Sequence, residues 1–237
     1  MKLNTREWGS GDRVALLVHG IMSDSRTWRR VGPALAGRGY RVIAVDLRGH
    51  GASGRGEYTP ALFADDLVET LPQGAELALG HSLGGLTLSR AVDRLRPRRA
   101  VYSDPAWQSV KSHSVQPEQG FDPSLFVQFA AQANRETVAV MNPRWDEADV
   151  LIELETLADW DSATATSLSP FVAETVLPEK AVVPSLVQLA DPSFLISADD
   201  AETLRGRGFE VRTVAGAGHT IHRDDFDGFI TSLKGWI

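Results

Sequence analysis

Apolar residues in this chain gather into short continuous runs separated by longer amphipathic stretches. The runs at 14–18 (VALLV), 40–45 (YRVIAV), 98–103 (RRAVYS), 184–189 (PSLVQL) and 209–214 (FEVRTV) predict strands, the unbroken ones buried on both faces. Residues 77–79 (LAL) predict another buried strand, and 3–8 a short strand at an edge. Between them, 25–39 and 59–71 read as helices. Ser25 stands as an N-cap, Trp28, Val31 and Leu35 share one face, Gly37 and Gly39 stop the first helix, and Pro72 closes the second. Leu86, Leu88, Ala91, Val92 and Leu95 mark an amphipathic helix, and 199–205 and 224–236 predict two more. Strands and helices alternating across short loops predict an α/β fold with a mostly parallel central sheet flanked by helices on both faces.

The alternation stops between 107 and 182. That stretch turns helical and aromatic, with Phe121, Phe126, Phe129, Met141, Trp145, Trp160 and Phe171, and shows no clear strand. The chain therefore reads as one α/β domain in two parts, 1–106 and 183–237, interrupted by a helical cap at 107–182. Its 237 residues suffice for one substantial core.

Composition narrows the class. With 43% hydrophobic and 23% charged residues the chain is ordinary for a globular protein. A net charge of -7 argues against nucleic acid or an anionic membrane as partner. The absence of cysteine excludes disulfides and thiolate metal sites. No run approaches the ~20 apolar residues of a membrane span, and the opening MKLNTREWGSGDR shows no secretory signal. The expectation is a cytoplasmic monomer or homodimer acting on a small molecule.

Gly80-His81-Ser82-Leu83-Gly84 matches the GxSxG nucleophile elbow, in a strand, turn and helix context. Its glycines leave room where the serine backbone is strained. Three further pieces follow other predicted strands: His19-Gly20, the loop 46–53 (DLRGHGAS), and Gly216-Ala217-Gly218-His219. Open α/β sheets hold ligands at those carboxyl ends. On these residues the chain resembles the α/β-hydrolase superfamily nearly end to end, and the insert lies where that family carries its cap.

The resemblance implies Ser82 as nucleophile and, of the six histidines 19, 50, 81, 113, 219 and 222, His219 as base. His19, His50 and His81 can brace loop backbone, and His222 reads as structural or surface. The triad acid is read as Asp191, after the strand that follows the cap. Asp104 is the alternative, at a position some members use, with Asp199 and Asp200 behind it. The glycine common before the acid is absent, Gln188-Leu189-Ala190 standing instead. Backbone N–H groups of Leu83 and, by resemblance, Ile21 would form the oxyanion hole. Met22, Trp107, Phe126 and Trp145 are pocket candidates, Trp107 because it stands where the chain leaves the sheet. Asp46 and Arg48 read as a structural pair bracing the glycine turns. Neither GxxxxGK[ST] nor HExxH occurs, so no metal or cofactor is expected. The implied activity is hydrolysis of a carboxylic ester or lactone of a small, largely uncharged, partly hydrophobic substrate. A carbon–carbon bond hydrolase, a thioesterase or a perhydrolase would use the same triad. A hydrolase-like small-ligand receptor is the reading from another class. Serine at the elbow argues against epoxide hydrolase and haloalkane dehalogenase chemistry.

Overall fold

A computed structural model describes residues 1–107, 122–172 and 177–237, with 169–172 described by backbone alone. His113, Phe121 and the Phe171 side chain lie outside the described residues. In chain order the elements are β1 (Thr5–Trp8), β2 (Arg13–Val18), a 3-10 turn (Ser25–Trp28), α1 (Val31–Ala36), β3 (Tyr40–Val45), α2 (Pro60–Thr70), β4 (Leu77–His81), α3 (Leu83–Leu95) and β5 (Ala100–Ser103). Then come α4 (Ser124–Gln132), α5 (Arg135–Met141), α6 (Glu147–Ala158) and α7 (Ala163–Val172). The chain closes with β6 (Ser185–Leu189), α8 (Ala198–Gly206), β7 (Glu210–Thr213), α9 (Ile221–Asp224) and α10 (Phe226–Ser232).

The strands form one seven-stranded sheet in the order β1-β3-β2-β4-β5-β6-β7. Only β1 runs antiparallel, against β3; the other pairs are parallel. The two-residue period of each strand divides the core. Leu16, Val18, Ala78 and Val187 face a layer with Phe63 and Leu67 of α2, Leu88 and Val92 of α3, and Leu204 of α8. Ala15, Leu17, Leu79 and Leu186 face the other layer, with Trp28, Leu35 of α1 and Phe229 of α10. The chain order reverses at β2, whose neighbours are β3 and β4. Such a switch point opens a crevice at the strands' carboxyl ends.

Two predicted helices are broken. Asp24, not Ser25, caps the first, accepting from the Arg26 N–H, and a 3-10 turn precedes α1. Gly32 then lies flat against the Trp8 ring, where a Cβ would sit 2.4 Å from it. The last predicted helix divides at Asp225, whose side chain accepts from Gly228 N and starts α10 afresh. Among the described residues no helix is long and apolar enough to cross a membrane.

Candidate active site

β4 delivers Ser82 into a backbone conformation that few L-residues adopt, φ 51 and ψ −118. Hydrogen bonds on both sides hold it there. Ser82 N donates to the Ser103 carbonyl at 3.1 Å, and the Ser82 carbonyl accepts from Leu86 N and Ala106 N, each at 3.1 Å. The glycines are required by proximity: a Cβ on Gly80 would lie 2.4 Å from the Gly84 carbonyl oxygen, and one on Gly84 2.2 Å from that of Val18. Ser82 thus stands at the N-terminus of α3, where unpaired N–H groups favour negative charge. Gly20, after β2, packs against the same centre less tightly, since a Cβ there would lie 3.2 Å from the Ser82 Cβ. Met22 in the same loop has φ 63.

His219 follows β7. Its Nδ1–H donates to Asp104 Oδ2 at 2.6 Å. Asp104 is fully buried and held at φ 38, its N–H bonded to the Gln188 carbonyl at 2.7 Å while Oδ1 accepts from Ala190 N at 3.3 Å. Asp191, ranked first from sequence, is not the partner of His219. It is exposed, and its Oδ2 accepts from Gly216 N at 2.9 Å, closing the turn that precedes His219. The physical reason lies in the sheet: β5 is the immediate neighbour of β4, with Ser103 beside His81, whereas β6 is one strand further out. Asp199 and Asp200 sit in the first turn of α8, where Asp200 completes a capping box with Ser197.

Ser82, His219, Ile21, Met22, Leu83, Phe126 and Trp145 line one cavity of about 1400 Å³. The Ser82 hydroxyl makes no hydrogen bond among the described residues, and open geometry of this kind is common before substrate binds. Trp107 does not reach the cavity. It is fully buried, its ring 4.6 Å from Tyr102 and 5.8 Å from Phe209 and its Nε1 donating to Ser89 Oγ at 3.2 Å. A large ring at the exit of a central strand is swallowed by the core beneath α3. Trp145 stands with its Nε1 donating to Asp224 Oδ1 at 3.0 Å, and the Arg223 guanidinium covers its ring at 3.5 Å. Burial raises the Asp224 carboxyl above its ordinary value.

The other histidines are fixed around this centre. His19 Nε2 accepts from Leu47 N at 2.9 Å while Nδ1 bonds the Gly20 carbonyl at 2.7 Å; this neutral tautomer ties the exits of β2 and β3, and burial lowers its pKa. Burial also depresses His50 to about 3. His222 is buried rather than on the surface, stacked on Trp28 at 4.4 Å, and burial beside Arg223 and His219 holds its pKa well below the ordinary value. Asp46 and Arg48 do not pair with each other. Asp46 accepts from Ser25 N, Asn4 Nδ2 and Ala52 N, while Arg48 forms a two-point bridge to buried Asp66 at 2.5 and 2.7 Å. Arg48 finds a buried two-point partner in Asp66 of α2, and Asp46 is already occupied by three N–H donors. Sequence reasoning missed Phe194, whose ring lies 4.8 Å from His219, and Arg223. Neither belongs to a motif; the one hint was Arg223 standing four residues after His219.

A profile of the alpha/beta hydrolase family matches residues 15–231. The 2-(acetamidomethylene)succinate hydrolase of Mesorhizobium japonicum is 44% identical over 87 residues, 35% of this chain and 31% of that protein. An esterase of Mycobacterium tuberculosis is 36% identical over 94 residues, 37% of this chain and 30% of its own length. In fold, the structure resembles an N-formylmaleamic acid deformylase from Pseudomonas putida S16, with a TM-score of 0.80 at 23% identity, covering 97% of this chain and 94% of that one. With the matched segment reaching from β2 into α10, the chain belongs to the alpha/beta hydrolase family.

Proposed function

We propose that this protein is a serine hydrolase that cleaves a carboxylic ester or lactone through an acyl-enzyme, with Ser82 as nucleophile, His219 as base and Asp104 as the acid that orients it. The observation that carries the reading is the 2.6 Å bond from His219 Nδ1 to buried Asp104, on the same cavity as a serine held at φ 51. With Nδ1–H fixed, Nε2 is left as the acceptor for the serine proton. Ser82 Oγ then attacks the carbonyl, the N–H groups of Ile21 and Leu83 receive the oxyanion, and His219 returns the proton to the leaving alcohol. Water, deprotonated by the same nitrogen, releases the acid. Each oxyanion donor is worth about 10²–10³-fold in rate. The helices α4 to α7 act as the cap. Leu86, Phe126, Phe129, Leu168 and Leu195 supply apolar wall, which suits a partly hydrophobic acyl or alcohol group.

Turnover of a short p-nitrophenyl ester, abolished in Ser82→Ala, together with fluorophosphonate labelling at Ser82, tests the reading. A well-folded protein that resists labelling would sink it.

One observation favours a second reading. Arg144 lines the cavity, its guanidinium 3.7 Å from where a Gly216 Cβ would lie; among the described residues it makes no ion pair within 4 Å, though Asp224 feels its charge. An anionic substrate such as the succinate derivative named for the Mesorhizobium relative would use that cation. Asp191 and Asp224 line the same cavity and oppose it, which is why the uncharged ester stands first. Under the second reading, Arg144→Met raises KM at least tenfold for a substrate carrying a carboxylate and leaves its neutral analogue unchanged.

A further inference from the structure

His81, the residue immediately before Ser82, is buried where three segments meet. Its Nε2 lies 2.9 Å from the His219 carbonyl oxygen; a carbonyl only accepts, so Nε2 carries the proton. Its ring is 4.7 Å from the His219 ring and 5.2 Å from that of His222. On its other edge, Nδ1 would lie 3.0 Å from a Cβ on Gly20, the same added atom that would touch the Ser82 Cβ at 3.2 Å. One imidazole therefore contacts the base loop and the loop after β2 while its own backbone leads into the nucleophile.

We propose that His81 is a positioning residue: by donating Nε2–H to the His219 carbonyl and backing Gly20, it sets the distance between nucleophile, base and oxyanion loop. The inference rests on the reading of Ser82 and His219 as nucleophile and base. A carbonyl facing a buried ring without a donor would be unsatisfied and would turn away, rotating the His219 peptide and with it the imidazole that must meet Ser82. The charge state fits the task. The titratable and charged groups facing His81 are His219 from the loop after β7 and His222 and Arg223 from α9; with burial as the larger cause, they hold its pKa well below the ordinary value. His81 thus stays neutral and places no like charge beside the imidazolium that forms on His219 during turnover. A phenylalanine would fill the space without the donor. Glutamine carries an amide N–H at about the reach of Nε2, and asparagine falls short.

The test is the rate at which a fluorophosphonate labels Ser82, measured against pH in the parent, His81→Phe, His81→Gln and His81→Asn, with thermal unfolding of each alongside. Loss of positioning predicts labelling slowed about 10²-fold in the Phe and Asn variants, an altered pH profile in both, and recovery to within about 10-fold of the parent in the Gln variant. A merely structural role would lower Tm while the folded protein labelled at the parent rate with the parent pH profile, and that result overturns the proposal. Should the Phe variant not fold, equal rates for Gln and Asn overturn it. A parent protein that does not label overturns the assignment of Ser82 itself, and this inference with it; a parent that labels beside unaffected variants overturns this inference alone.

Discussion

Asp104 has two partners for its carboxylate, His219 and the Ala190 N–H, and no exposure to water. Replacing it by asparagine keeps the shape and offers His219 the wrong hydrogen-bond chemistry, so kcat for an ester substrate is expected to fall about 10²–10⁴-fold. Asp191→Asn retains an oxygen for Gly216 N and is expected to stay within about threefold, since the bond it serves closes a turn. Steady-state kinetics on both variants decides between the two acids. The contrast shows what was legible. Ser82 announces itself through glycine spacing, because close backbone approach at Gly80 and Gly84 excludes other residues, and His219 through the preceding Gly216, held at φ 69 where L side chains are strained. The acid carries no such signature: Asp104 and Asp191 both follow parallel strands, and which of them faces His219 depends on sheet order and on the left-handed turn at Asp104. Trp107 failed as a pocket residue for a related reason, since a strand exit points a side chain to the cavity or to the core with equal ease.

Helix α6 is fastened to the core by arginines. Arg29, from the end of the 3-10 turn, donates from Nε and Nη2 to Asp149 at 2.9 and 3.0 Å and also to Asp146. Arg223 of α9 donates to Glu153 at 2.6 Å, and Arg26 reaches Glu155 and Asp159 at 3.2 and 2.6 Å. These bonds differ in burial. Asp149 is 2% exposed and Glu155 59%, so Asp149→Asn takes a buried carboxylate from Arg29 and Arg223, which keep Asp146 and Glu153, while Glu155→Gln removes a solvated contact. The first is expected to destabilise by about 1.5–3 kcal/mol, a Tm fall of roughly 3–12 °C for a chain of this size, and the second by less than about 1 kcal/mol. Thermal unfolding separates them. The element pattern itself was readable because buried strands need continuous apolar runs. The broken helices at 25–39 and 224–236 were less so, because Asp24 and Asp225 act as internal caps only where tertiary contacts already bend the chain.

The sheet keeps two hydrophobic layers apart, and four histidines lie buried around it: His19, His50, His81 and His222. All four have lowered pKa values, burial being the first cause in each, with His50 at about 3. Unfolding returns them to about 6.5, so below that pH the unfolded chain binds the extra protons. Stability is therefore complete above about pH 6.5 and is lost as pH falls toward the folded values, by up to about 1.4 kcal/mol per pH unit for each titrating histidine. Asp46 adds its own loss only at more acidic pH: burial pushes its carboxyl up, but bonds from Ser25 and Asn4 outweigh this and hold it low. Urea midpoints should drop between pH 7 and pH 5. His50→Asn, whose amide can still donate to the Arg48 carbonyl that His50 Nδ1 meets at 2.9 Å, should flatten that slope by about one proton.

Ser82, Asp104 and Met22 all hold positive φ, at 51, 38 and 63, around the proposed reaction centre. Each conformation costs about 1–3 kcal/mol for a residue with a Cβ, and glycine would relieve it. Ser82→Gly is thus expected to melt above Ser82→Ala. A library selected for heat tolerance alone would drift to glycine at these positions and return a sturdier protein emptied of its chemistry, so selection for robustness has to be coupled to a screen for turnover.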